Sequence, residues 1–115
     1  MSGKKDKVAD KDRFSIITPD LTHCCVCGTS DRICLHEVFF GTSNRKKSKE
    51  DGMVIPLCFE HHQGTFGVHN NKQLDDKFKQ QAEKVWLVYY TDEEDTYEEK
   101  VSKFIKRFGR NYLDE

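Results

Sequence analysis

The residue pattern of this chain predicts a small α+β domain with two C-terminal helices. Two short runs rich in β-formers, 33–40 and 53–57, flank a polar stretch. From residue 72 onward, apolar residues recur at helical spacing. All five Cys and all five His fall between His23 and His69, and the rest of the chain contains neither type. Cys and His are the side chains that best hold zinc and similar ions, so this window reads as metal-binding.

The chain has 115 residues, enough for one domain with a modest core that a structural metal would supplement. Charged residues make up 34%, yet the formal net charge is only −1, which excludes a globally basic DNA-coating protein and leaves room for local patches. No apolar run approaches the roughly 18 residues of a membrane span. The start, MSGKKDKVADKDR, lacks the apolar stretch of a signal peptide, so a cytoplasmic location is expected. In a reducing compartment, five Cys suit metal ligation or burial better than disulfides.

Taken in order, residues 1–13 alternate Lys and Asp and are expected to form a disordered tail. A single domain should then run over 14–115, with its core at 23–71 and a helical extension at 72–113. Phe14 to Ile17 is a short apolar segment that can pack on the core, ended by Pro19. Residues 23–30 make a Cys-rich turn closed by Gly28. A strand is predicted from Ile33 to Phe40, where Gly41 stops it. Thr42 to Gly52 is a loop or a short helix. Met53 to Leu57 forms the second strand, with Pro56 near its end. Residues 58–71 carry the remaining His, broken by Gly64 and Gly67. The first long helix shows its stripe at Leu74, Phe78, Ala82, Val85 and Tyr89. Thr91 with Glu94 reads as a capping box for the second. That helix presents Tyr97, Val101, Phe104, Ile105 and Phe108, and stops at Gly109. Both stripes read as helix–helix core.

Within the window, Cys24-x-x-Cys27-Gly28 has knuckle spacing: two residues between thiolates let both reach one ion, and Gly permits the tight turn. Cys58-x-x-His61 is a half-site of the same spacing. Together they make a Cys₃His set, closed and tetrahedral, suited to structural Zn²⁺; the competing reading is buried thiols without metal. Cys25-x-Cys27 is too short for knuckle geometry, Cys34 reads as a core residue on a strand, and His23 as a surface residue or a substitute ligand.

His36, Glu37, His62 and His69 remain. A strand His, a second strand, then a His one position past a zinc half-site is the arrangement of the HNH, or ββα-metal, nucleases, and this sequence resembles them. The stretch LHEVFFGTSNRKKSKEDGMVIPLCFEHHQGTFGVHN is similar to phage-encoded HNH proteins related to a RecA-dependent recombination-enhancement nuclease. FGRNYL near the C-terminus resembles that family as well, so the likeness covers about residues 14–113. The resemblance implies a ββα-metal finger and a DNA endonuclease that hydrolyses phosphodiester bonds in phage recombination or processing. It implies His36 as the base, with His62 and His69 holding a catalytic Mg²⁺ or Mn²⁺ and Glu37 as a third ligand. A host RecA-type recombinase partner follows from the same analogy.

The chemistry accounts for these residue types. Hydrolysis of a phosphodiester needs a base for the water and a cation for the charge on the phosphate and the leaving oxygen. The chain departs from the common pattern at Leu35, where many HNH proteins place a ligand before the base. Glu37 or a water substitutes, or His36 is itself a ligand. Strand alternation sends His36 and Glu37 to opposite faces unless a bulge intervenes. The Asn that orients the base has no obvious counterpart: Asn44 falls early and Asn70 late, leaving Ser48 or Asp51.

Arg45, Lys46, Lys47 and Lys49 form the densest basic segment of the expected domain and would neutralise DNA phosphates without reading sequence; a solvated loop is the plainer alternative. Phe39, Phe40 and Phe66 read as core before they read as base-stacking platforms. The run Asp92 to Asp95 is expected to start the second helix. Two further functional classes remain open: a non-catalytic zinc-stabilised nucleic-acid-binding module, and a zinc-bridged protein-interaction adaptor.

Overall fold

A two-stranded antiparallel sheet carries the centre of the molecule. β1 (Ile33–Glu37) pairs with β2 (Val54–Cys58), with His36 opposite Ile55 and Glu37 opposite Val54. These elements belong to a computed structural model that describes residues 13–113. The expected tail falls outside the described residues except for Arg13. Among the described residues the chain is a small mixed α/β fold with this sheet and four helices: α1 (Asn44–Asp51), α2 (Phe59–His62), α3 (Lys72–Tyr90) and α4 (Tyr97–Phe108). No helix among them is long and apolar enough to cross a membrane.

β1 is shorter than the run of β-formers, and Ser48 is the reason. One more ladder bond follows the strand, from Val38 N–H to the Met53 carbonyl at 3.0 Å. The buried Ser48 hydroxyl then accepts from Phe39 N–H at 3.1 Å and donates to the Phe39 carbonyl at 2.7 Å. A side chain has replaced the partner strand, so the ladder ends and the Phe39 ring turns away from the sheet. That ring packs against Phe108 at 4.6 Å between centroids, and against Phe104 and Tyr112 at 5.3 Å each. Aromatic pairs at such separations add attraction beyond their buried area.

The polar stretch between the strands folds as α1. Gly52 caps it in the left-handed region (φ 74°), and a Cβ there would come within 2.6 Å of the Phe14 ring. Ile16 N–H donates to the Gly52 carbonyl, and Ile16 and Ile17 pack on the core as expected of that segment. Asp51 ties three helices together. Trp86 Nε1–H donates to its carboxylate at 2.8 Å and Tyr90 Oη–H to its carbonyl at 2.8 Å, while Arg107 makes two bonds to the carboxylate at 2.9 and 3.0 Å.

That anchoring corrects the stripe expected on α3. The buried face of its C-terminal half is Ala82, Glu83, Trp86 and Leu87. Val85 is only half-buried, and Tyr89 is 63% exposed. Trp86 and Tyr90 set the rotation by bonding Asp51, which leaves Tyr89 facing solvent. On α4, Val101, Phe104 and Phe108 are buried, whereas Tyr97 and Ile105 lie at the edge of the apolar face and are exposed.

The start of α4 also differs from expectation. Its capping box is Thr96 with Glu99. Thr91 is already used as the C-cap of α3, its hydroxyl donating to the Leu87 carbonyl. The run Asp92–Asp95 forms a turn instead, closed by Asp95 N–H to the Asp92 carbonyl at 3.0 Å. Glu98 and Glu99 supply the negative charge in the first turn, and Gly109 ends α4 in the left-handed region as expected.

Candidate metal centres

The segment from Cys24 to Thr29 folds back on itself. Cys24 N–H donates to the Thr29 carbonyl and Gly28 N–H to the Cys24 carbonyl, both at 2.8 Å, with Gly28 at φ 82°. Cys25 N–H donates to the Pro56 carbonyl at 3.0 Å, which docks the turn beside β2. β2 ends at Cys58, and α2 brings His61 round one turn later. The donor atoms of Cys24, Cys27, Cys58 and His61 therefore lie within 4.8 Å of one another.

Three of their six donor–donor distances lie near the edges of a tetrahedral shell. Zinc–ligand lengths imply edges of about 3.8 Å between sulfurs and about 3.6 Å between sulfur and nitrogen. Cys27 and Cys58 sulfurs stand 3.9 Å apart, and His61 Nδ1 lies 3.7 Å from Cys24 Sγ and 3.3 Å from Cys58 Sγ. Burial pushes the Cys24 thiol up, but N–H groups of Cys58, Cys27 and Val26 outweigh it and bring it down to about 6. A thiol of that kind is a ready ligand. This cluster could hold a metal ion and is compatible with zinc. Cys25 lies outside it, and so does His23, whose Nδ1 is 3.0 Å from Asp20 Oδ2.

A second group forms from His36 on β1, His62 at the end of α2 and His69 in the turn beyond. Three imidazole nitrogens lie within 4.8 Å of one another. His62 Nε2 and His69 Nε2 are 3.1 Å apart, near the roughly 3.3 Å edge of a tetrahedral two-imidazole pair. The His36 ring centroid lies 5.0 Å from that of His62 and 5.3 Å from that of His69.

His69 reaches this position because the chain folds against α2. Val68 N–H donates to the His61 carbonyl at 2.9 Å and His69 N–H to the His62 carbonyl at 3.3 Å. Asn70 Nδ2 donates to the Gln63 and Gly64 carbonyls at 3.1 and 2.9 Å. Gly67 is required by contact: a Cβ there would sit 2.7 Å from the His62 carbonyl carbon and 2.8 Å from the Glu60 carbonyl oxygen.

His36 is 3% exposed, and its Nε2 is buried with no hydrogen-bond partner. A buried polar nitrogen without a partner costs free energy that a cation would recover. Burial, then the nearby His62, His69, Lys79 and Arg45, lowers the His36 pKa to about 3. Burial also lowers that of His62, followed by His69 and Arg45. In both rings the shift favours the neutral form, which has a lone pair for a ligand role. The three residues fit a divalent ion with at least one coordination position left open.

Glu37 does not join this group. Its carboxylate pairs with Arg13 at 3.3 Å and lies outside the three-donor group, although Glu37 borders the same cleft as His36. None of the candidates for orienting His36 does so either. Asn44 donates to the Phe108 carbonyl, Ser48 serves Phe39, Asp51 serves Trp86 and Arg107, and Asn70 braces the His69 turn. Arg45 does border the group, in a cleft of about 170 Å³ lined also by Glu37, Leu35, Phe40 and Gln63 beside the three histidines. That space is small beside the roughly 300–1,000 Å³ of pockets for organic ligands. Lys46, Lys47 and Lys49 lie on the same short helix but do not line the cleft. Phe39 is core, Phe40 packs its ring against His36 and His69, and Phe66 is exposed.

Two residues near the histidines carried no warning in the sequence. Lys79 on α3 lies 4.1 Å above the Phe40 ring and adds positive charge beside His36. Its i,i+4 pair with Asp75 looks like any surface helix pair when read along the chain. Cys34, read as core, places its sulfur 3.1 Å from His62 Nδ1.

No protein-family model matches this chain, and comparison with curated proteins and with solved structures finds no similar one.

Proposed function

We propose that this protein is a metal-dependent endonuclease of the HNH kind, hydrolysing phosphodiester bonds in DNA. One observation carries the reading: three imidazoles converge on an open cleft that Arg45 borders. In this reading β1, β2 and α2 are the ββα-metal finger, and the Cys₃His group is its structural zinc site. An ion held by the histidines would supply Lewis acidity toward a phosphate and a bound water. His36, His62 and His69 hold it, and burial keeps His36 neutral for that purpose. A base works best with a pKa near the operating pH, so a His36 lowered to about 3 serves as a ligand better than as the proton acceptor. Arg45 and Lys79 draw the phosphate in, and Lys46, Lys47 and Lys49 extend the basic surface along α1. An all-imidazole donor set favours Zn²⁺, Co²⁺ or Ni²⁺ over Mg²⁺ and Mn²⁺, which prefer oxygen.

A second reading, a non-catalytic zinc-stabilised nucleic-acid-binding module, is favoured by one specific observation. Glu37, which borders the cleft, is paired with Arg13, and among the described residues no carboxylate belongs to the three-donor group. Plasmid nicking separates the two. The endonuclease reading expects relaxed plasmid with at least one of Mn²⁺, Co²⁺, Ni²⁺, Zn²⁺ and Mg²⁺, and none from His36→Ala. DNA binding without nicking under every metal would favour the module. A role with a RecA-type recombinase rests on the resemblance, and nicking of recombinase-coated against naked DNA tests it.

A further inference from the structure

We propose that Cys34 is a positioning residue for the second metal centre: its sulfur accepts a hydrogen bond from His62 Nδ1–H, so that the Nε2 lone pair faces His36 and His69. This rests on reading the three histidines as a metal site.

Cys34 lies on β1 two residues before His36, so both side chains fall on one face of the strand. Its Sγ is 3.1 Å from His62 Nδ1 and 3.6 Å from the Leu57 carbonyl oxygen on β2. A carbonyl oxygen only accepts, and a thiol has one hydrogen. In the proposed arrangement the Cys34 hydrogen goes to Leu57, the partner that can only accept, and the sulfur presents lone pairs to His62. With that assignment Nδ1 carries the imidazole proton and Nε2 is bare. That Nε2 is the atom 3.1 Å from His69 Nε2. The opposite tautomer would push an N–H into the group and exclude an ion.

Cys34 is not itself a ligand of either group. It stands outside the four-donor cluster and meets the Nδ1 edge of the His62 ring, away from Nε2. Metal-binding histidines commonly donate their other ring N–H to an oxygen acceptor; here a sulfur fills that place. The relay also explains why a half-buried thiol sits on this strand, where Val or Ile would serve packing better.

The experiment uses the full chain with the Cys₃His site filled with zinc. Nitrogen-15 NMR of the wild type, before any second ion is added, is expected to show His62 protonated at Nδ1 and bare at Nε2. Calorimetry with Co²⁺ then gives the affinity of the second site. Cys34→Ala is expected to mix the His62 tautomers and weaken Co²⁺ by about 10-fold. Cys34→Ser keeps a donor and an acceptor and should recover most of that loss. The proposal is overturned if wild-type His62 carries its proton on Nε2, if Cys34→Ala binds Co²⁺ as tightly as wild type, or if Ser is no better than Ala. Should wild type bind no second ion, the metal reading of the histidines fails, while the tautomer still decides for or against Cys34.

Discussion

Four donors converge at Cys24, Cys27, Cys58 and His61, and three at His36, His62 and His69. The adjacent residues His61 and His62 are divided between the two groups. His61 turns its Nδ1 to the sulfurs, and His62 turns its Nε2 to His69. The first group offers four donors of sulfur and nitrogen, so an ion held by all of them in a tetrahedral shell would have no position for a substrate and would brace the turn against the sheet. The second has one donor fewer, opens into a cleft and has Arg45 at its rim. A difference of one donor thus separates a closed group from an open one, although the two sit side by side.

The largest expected effect tests whether the first group is structural. Cys58→Ser, at the buried end of β2, should abolish zinc uptake and the cooperative thermal transition together, because binding at a structural site is folding free energy. A zinc-free protein with an unchanged melt would remove the distinction. Next come the neighbours. His61→Ala should lose zinc and much of its stability. His62→Ala should keep zinc, melt within a few degrees of wild type, and lose the second ion and any nicking. Metal content by mass spectrometry of the native protein, read beside thermal melts, checks both. Equal behaviour of the two variants would mean that the groups are one.

Gly67→Ala sharpens the second side further. The added methyl meets backbone at 2.7 Å, which a rotamer change cannot relieve. The turn must shift, His69 moves from His62, and affinity for the second ion should fall on the order of tenfold with zinc retained. Calorimetry of the zinc-loaded variant is the measurement.

The smallest effect concerns protons. The His36 pKa is lowered to about 3 from 6.5, first by burial. As pH falls below 6.5, the unfolded chain takes up this proton before the folded one does. The stability linked to neutral His36 is therefore full above pH 6.5 and is lost progressively as pH falls toward about 3. NMR titration of the His36 ring in protein free of the second ion should place its midpoint far below 6.5. A midpoint near 6.5 would contradict a buried ring held neutral for a ligand.

The parts that were legible from the chain depend on short-range geometry. Two-residue spacers brought Cys24 with Cys27 and Cys58 with His61, and the glycines at 28 and 109 marked ends that do adopt positive φ. The capping box was misplaced because Thr91-x-x-Glu94 and Thr96-x-x-Glu99 fit the same pattern. Only the bond from Thr91 back to Leu87 decides that Thr91 finishes α3. The rotation of α3 was hidden for a related reason: Trp86 and Tyr90 are fixed by Asp51, which is remote in sequence. Val85 and Tyr89 fit the helical period equally well but lie on the wrong side of that anchor.

By itself, then, the sequence determined which residues form local half-sites, since a thiolate pair two residues apart and a glycine turn need nothing distant to meet. It left open whether Glu37 joins His36, because successive strand residues face opposite ways unless a bulge or the strand end intervenes. Tertiary structure alone decided that His36 joins His62 and His69, that Glu37 goes to Arg13, and that Cys34 stands behind the His62 ring. Each of those depends on β1 lying in register with β2 and on the turn after α2 packing back on its own backbone. Spacing along the chain encodes what one turn can reach, whereas packing decides which lone pairs finally face each other.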